Sequence, residues 1–288
     1  MPEEVPIRWN RPIFVASMGR SGSTLLQRVL NLHPDVTIWG EHGGFLSGLL
    51  ESYEAASRPV TAKNLAVGYE SRHEIIGELQ DKDSFKPWVS PFTTEDIERS
   101  FTDHVRGLFT SELAPTTRWG FKEIRYSQNE VATLMTMFPE AQLVILARDF
   151  PGFAQSRFFA FGNTDFDFDT EEGRAAAQLR LSKMADGWIR RYQGLLAARD
   201  QFVERTSVVA YHELTEGPSR AVELFAELGE TAPTTGAIES VLGSIVGSTF
   251  RHNKAAIRNR DRLIELLDGA PIDWPEYELL AKELRCNG

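Results

Sequence analysis

The chain is poor in the features that mark several whole classes of protein. It has one cysteine among 288 residues, Cys286. No internal disulfide can form and no thiolate cluster can hold a metal, which suits a reducing cytoplasm. No apolar run approaches the ~20 residues that cross a bilayer. The opening Met1-Pro2-Glu3-Glu4-Val5-Pro6 is acidic and lacks an apolar stretch, so no signal peptide is expected. Basic residues are in deficit: 31 Lys and Arg against 41 Asp and Glu leave a net charge of −10. That balance argues against non-specific binding to nucleic acid or anionic membranes, so an anionic ligand would need a local basic pocket. Repeats and low-complexity tracts are absent too. What remains is an ordinary globular composition, 42% hydrophobic and 25% charged, with ample material for a core. We read it as one domain over residues 1–288.

The most informative stretch is Ile13-Phe14-Val15-Ala16-Ser17-Met18-Gly19-Arg20-Ser21-Gly22-Ser23-Thr24. An apolar run enters a Ser/Gly/Arg loop, after which Leu25, Leu26, Val29 and Leu30 recur at helical spacing. Strand, tight loop and helix start form the arrangement that cradles phosphate-like anions on backbone N–H groups. The lysine of Gly-x-x-x-x-Gly-Lys-Ser/Thr is missing: Ser23 follows Gly22, and the loop's basic residue is Arg20. This turns the reading from ATP hydrolysis towards another phosphorylated donor.

Further strands are predicted at 36–39, 118–121, 142–147 and 206–211, beside the one at 12–17. Helical patterns fall at 23–32, 95–113, 128–138, 151–160, 171–200 and 218–228. The unbroken Leu143-Val144-Ile145-Leu146-Ala147 is that of a strand buried on both faces. The alternation predicts an α/β fold: a P-loop-type parallel β-sheet with helices on both faces. Residues 52–94 fit poorly and read as a largely helical insertion, a lid or acceptor-side region. Ligands bind at the carboxyl ends of parallel strands, so the loops after 17, 39, 121, 147 and 211 should carry the chemistry.

Those loops hold suitable residues. Gly19, Arg20, Ser21, Gly22, Ser23 and Thr24 offer N–H groups, hydroxyls and a guanidinium fork to an anion. Arg148 directly follows a buried strand, and Ser156 lies eight residues on, about two helical turns away. Glu41 and His42 are acid–base residues in the Gly-flanked loop Trp39-Gly40-Glu41-His42-Gly43-Gly44. Lys122, in Gly120-Phe121-Lys122-Glu123, is suited to neutralise charge on a transferring group. Arg251, Lys254, Arg258, Arg260 and Arg262 make a basic island in an acidic protein. The aromatics Tyr53, Tyr69, Phe85, Trp88, Phe166 and Phe168 suit either local packing or an acceptor pocket.

In this order the motifs resemble those of sulfotransferases that use 3′-phosphoadenosine-5′-phosphosulfate (PAPS). In detail they are most similar to tyrosylprotein sulfotransferases and their bacterial relatives. Arg20-Ser21-Gly22-Ser23-Thr24-Leu25-Leu26 resembles the family's 5′-phosphosulfate loop, and Arg148 with Ser156 its 3′-phosphate site. Tyr211-His212-Glu213-Leu214 looks like the segment near the adenosine, and His33-Pro34-Asp35-Val36 followed by Gly40-Glu41 like the stretch ending in the catalytic base. The resemblance implies Glu41 as base with His42 as the alternative, and Lys122 and Arg20 at the developing charge. It implies Ser248, Arg251 and Lys254 in a C-terminal donor clamp. Its further implications are PAPS as co-substrate, PAP as product, no required metal, and a small-molecule hydroxyl acceptor, and the lone cysteine adds the expectation of a cytoplasmic enzyme. One departure is Arg148-Asp149-Phe150-Pro151-Gly152, where the family often has Arg-Asp-Pro-Arg-Asp. The competing reading is a P-loop small-molecule kinase, which would place a lysine after Gly22.

Overall fold

In the computed structural model, which describes residues 5–56, 71–83, 92, 94–158, 166–244 and 254–286, the run at residue 13 forms strand β1 (Ile13–Ser17). It occupies the middle of a five-stranded sheet. The others are β2 (Val36–Trp39), β3 (Arg118–Glu123), β4 (Gln142–Ala147) and β5 (Thr206–Ala210). The order is β2-β3-β1-β4-β5, and every pair is parallel. Side chains alternate between faces with a period of two. Phe14, Ala16, Leu143, Ile145 and Phe121 therefore enter one core, and Ile13, Val15, Val144 and Leu146 enter a second on the opposite face. Covering both faces explains why β1 and β4 are apolar but for the terminal Ser17 and Gln142.

Helix α1 (Ser23–Leu30) packs Leu26, Val29 and Leu30 on the second face, beside α9 (Ser219–Glu227) and α10 (Thr235–Leu242). The first face carries α5 (Gln128–Met137), α6 (Phe150–Phe158) and the 31-residue α7 (Glu171–Gln201). It also carries α11 (Lys254–Asp268) and α12 (Trp274–Glu283). Helices α2 (Ser47–Ala56), α3 (Arg72–Gln80) and α4 (Thr94–Thr110) follow β2, and α8 (Tyr211–Glu216) follows β5. The described part of the insertion holds the end of α2, all of α3 and the first residue of α4, with Lys82 and Asp83 in a turn.

The expected strands recur, with β1 starting one residue late at Ile13 and two further adjustments. β3 runs on to Glu123, so Lys122 is a strand residue and not part of the loop after it. Parallel pairing holds it there, with Lys122 opposite Val15 and Glu123 opposite Ala16. Tyr211 opens α8 and does not end β5, because Glu213 reaches back to the Ala210 N–H at 3.2 Å and starts a helical turn. Helices α8, α10, α11 and α12 lie outside the expected set, and α2 begins before the expected insertion. Among the aromatics, Tyr53 and Phe168 are buried, and Phe166 packs on Phe158 with ring centroids 5.2 Å apart. Tyr69, Phe85 and Trp88 lie outside the described residues.

Candidate active site

The loop after β1 is shaped by backbone conformation before any ligand is considered. Arg20 adopts φ 74° and Gly22 φ 96°, the left-handed region that glycine enters at little cost and other residues seldom do. A Cβ on Gly22 would also lie 2.3 Å from the Tyr211 ring. Gly22 thus satisfies both the turn and the close approach. It caps α1 without a side-chain hydrogen bond, leaving the first-turn N–H groups of Ser23 and Thr24 without intrahelical partners at the positive end of the helix dipole. Ser21 differs from the expected hydroxyl donor. It is fully buried, its Oγ lies 2.7 Å from Ser17 Oγ, and its N–H returns to the Met18 carbonyl at 3.2 Å, so it closes the loop from inside.

Arg20 leaves this turn and donates from Nε to Ser156 Oγ at 3.1 Å. Arg148 donates from Nη1 to the Arg20 carbonyl at 3.4 Å, and its guanidinium carbon lies 4.6 Å from the Tyr211 ring centroid. Arg148 Nε is buried and has no hydrogen-bond partner among the described residues. Strands β1, β4 and β5 thus bring Arg20, Arg148, Ser156 and Tyr211 together from the three segments that follow them. Burial depresses the Arg20 guanidinium, and the charges of Arg148 and Arg157 depress it further. Positive charge is concentrated here in a protein whose net charge is negative.

A second group lies at the same sheet edge. Lys122, 5% exposed, donates from Nζ to Glu41 Oε1 at 2.6 Å. Arg125 donates from Nη1 to Glu41 Oε2 at 3.3 Å and to Glu123 Oε1 at 2.9 Å. The strand period separates Lys122 from Glu123. Glu123 enters the face of Phe121, where it is 1% exposed and accepts the N–H groups of Ile124, Arg125 and Gly44. His42 lies behind Glu41. Its ring packs against Phe45, Phe121, Tyr126 and Phe109, and Nδ1 is 3.6 Å from Glu123 Oε2.

A sequence model described as the sulfotransferase family matches residues 12–229, most of the chain and every site residue described so far. The chain belongs to the sulfotransferase family. No curated protein matches it significantly. Solved structures of similar fold include the sulfotransferase domain of the Synechococcus PCC 7002 olefin synthase (TM-score 0.56, 16% identity, 99% of this chain and 97% of that one). Others are a sulfotransferase from Alicyclobacillus acidocaldarius (0.51, 13%, 96% and 97%) and the sulfotransferase domain of the curacin biosynthetic pathway (0.51, 16%, 96% and 97%).

The candidate site of this sulfotransferase-family chain also contains residues that the motifs did not single out. Glu123 closes the short motif that holds Lys122, and Arg125 lies two residues beyond it, just past the end of β3. Arg191 had no local signal. It sits mid-helix in α7, yet donates from Nε and Nη2 to the Ser17 carbonyl at 3.1 and 2.9 Å, bracing the loop where β1 ends. Ser248 and Arg251 lie outside the described residues, and Lys254 is the first residue of α11. Among the described residues no group of three or more His, Cys, Asp and Glu is arranged to hold a metal ion, and no helix is long and apolar enough to cross a membrane.

Proposed function

We propose that this protein transfers a sulfuryl group from PAPS to a hydroxyl of a small-molecule acceptor, a carbohydrate, natural product or lipid, with residues 1–288 acting as one cytoplasmic domain. The observation that carries the reading is the Glu41–Lys122 pair at the sheet edge that also holds the Arg20, Arg148 and Ser156 cluster. In this reading the 5′-phosphosulfate lies over Gly22, Ser23 and Thr24, where first-turn N–H groups and the helix dipole favour anions. The 3′-phosphate lies among Arg148, Ser156 and Arg20. A dianion there relieves the mutual repulsion of the guanidinium groups and gains charge-assisted hydrogen bonds. Glu41 takes the proton from the acceptor hydroxyl. The acceptor oxygen forms the new bond to sulfur as the bond from sulfur to the bridging phosphate oxygen breaks. Lys122 stabilises the charge left on that oxygen, and PAP departs. His42 is a poorer candidate for the base, being enclosed by aromatic rings.

Thermal-shift measurements with 3′,5′-ADP, 5′-AMP and Mg-ADP test the donor. A ligand present at 100 times its Kd stabilises the folded state by about 2.7 kcal/mol. We expect 3′,5′-ADP to raise Tm, Mg-ADP to leave it unchanged, and Arg148→Ala to remove the preference for 3′,5′-ADP over 5′-AMP. Stabilisation by Mg-ADP alone would favour the kinase reading.

A further inference from the structure

Glu41 is gripped from two sides, by cations with different obligations. Lys122 holds Oε1 at 2.6 Å and Arg125 holds Oε2 at 3.3 Å. In the mechanism above Lys122 must serve the leaving group, and it cannot remain on Glu41 while charge builds on the bridging oxygen. Arg125 has no such duty, and it has an anchor. The Nη1 that reaches Glu41 also donates to Glu123 Oε1 at 2.9 Å. Glu123 is itself fixed, with the Ile124 and Arg125 N–H groups on Oε1 at 2.9 and 3.1 Å and the Gly44 N–H on Oε2 at 3.0 Å. One buried carboxylate therefore ties the loop after β2, which carries Glu41, to the loop after β3, which carries Arg125. A side chain that is half exposed, at 51%, is thereby held in one place.

We propose that Arg125 is a positioning residue: anchored on Glu123, it keeps the Glu41 carboxylate directed at the acceptor hydroxyl when Lys122 turns to the donor. The inference rests on Glu41 being the base. Arg125 acts through Glu41 and not on the reacting atoms.

The test is a double-mutant cycle on the full chain. The readout is 3′,5′-ADP release from PAPS, with water alone and with a panel of phenols and aliphatic alcohols as acceptors. Arg125→Gln should lower kcat roughly 10-fold or more through misplacement of the base, with acceptor KM and the thermal response to 3′,5′-ADP unchanged. Arg125→Lys should recover part of the loss. In the Glu41→Gln background, Arg125→Gln should add nothing, because residues that act as a unit are non-additive. Losses that multiply, an unchanged kcat, or a rise confined to acceptor KM would each overturn the proposal, the last making Arg125 an acceptor contact. If Glu41→Gln alone keeps the wild-type rate, the base assignment fails and this inference fails with it. The unchanged response of Arg125→Gln to 3′,5′-ADP guards against reading a folding defect as catalysis.

Discussion

Glu41 and His42 are neighbours in sequence with opposite surroundings. Glu41 keeps 30% of its side chain exposed between two cations, whereas His42 keeps 10% and lies among aromatic rings. Burial pushes the His42 imidazole down from its ordinary 6.5, and the nearby Glu123 only partly opposes this. Burial alone would raise the Glu123 carboxyl. The Arg125 hydrogen bond and the Ile124 and Gly44 N–H groups outweigh it, and the net shift is downward from 4.5. Both groups bind protons more readily in the unfolded chain, so stability is lost as pH is lowered, through His42 from about 6.5 downwards and through Glu123 from about 4.5 downwards. Denaturant titrations of wild type and His42→Gln between pH 7.5 and 5 should show the wild type losing more stability than the variant. A constant difference across that range would remove His42 as the cause.

Among the elements, the turn into α1 is the most exacting. Gly22→Ala must hold a side chain at φ 96° and fit a Cβ 2.3 Å from the Tyr211 ring. It should cost on the order of 1–3 kcal/mol and weaken 3′,5′-ADP binding, by calorimetry, with far-UV circular dichroism unchanged. Wild-type affinity would show that the loop tolerates another geometry. This turn was legible because its Gly and Ser residues and the apolar runs beside it are local signals. β2 and β4 were legible in full for the same reason. The end of β3 was not, since Lys122 and Glu123 are polar, and what extends the strand is pairing with Val15 and Ala16 more than a hundred residues away. Helix α12 had an unread signal in Asp273-Trp274-Pro275-Glu276, an N-cap with proline in the first turn, and the Asp273 side chain accepts the Glu276 N–H. The grip of Arg125 on Glu41 depends on where two loops meet, and no pattern along the chain encodes that.

At the scale of the whole molecule, the sheet has a functional end and a structural one. At the amino end of β3, Arg118 is 2% exposed and reaches the Arg11 carbonyl at 2.5 Å, the Leu228 carbonyl at 2.6 Å and Gln142 Oε1 at 2.6 Å. Its Nη1 also meets Glu230 Oε1 at 3.3 Å, and Glu230 in turn takes Arg8 at 3.0 Å. Arg118→Met leaves the Arg11 and Leu228 carbonyls and Gln142 Oε1 without this donor, while Glu230 keeps Arg8, and should cost about 1–3 kcal/mol. The variant should unfold at lower denaturant yet bind 3′,5′-ADP as wild type while folded, because the anion cluster lies at the opposite end of the strands. Equal losses in stability and affinity would contradict that separation. The strand order has a consequence for synthesis. β1 leads into the Arg20–Thr24 loop, but its two neighbours are β3 and β4, and β2 pairs with β3. A chain emerging from the ribosome has no described strand pair until Arg118 has been made, so its two most N-terminal strands wait, apolar and unpaired, for the middle of the sequence to arrive.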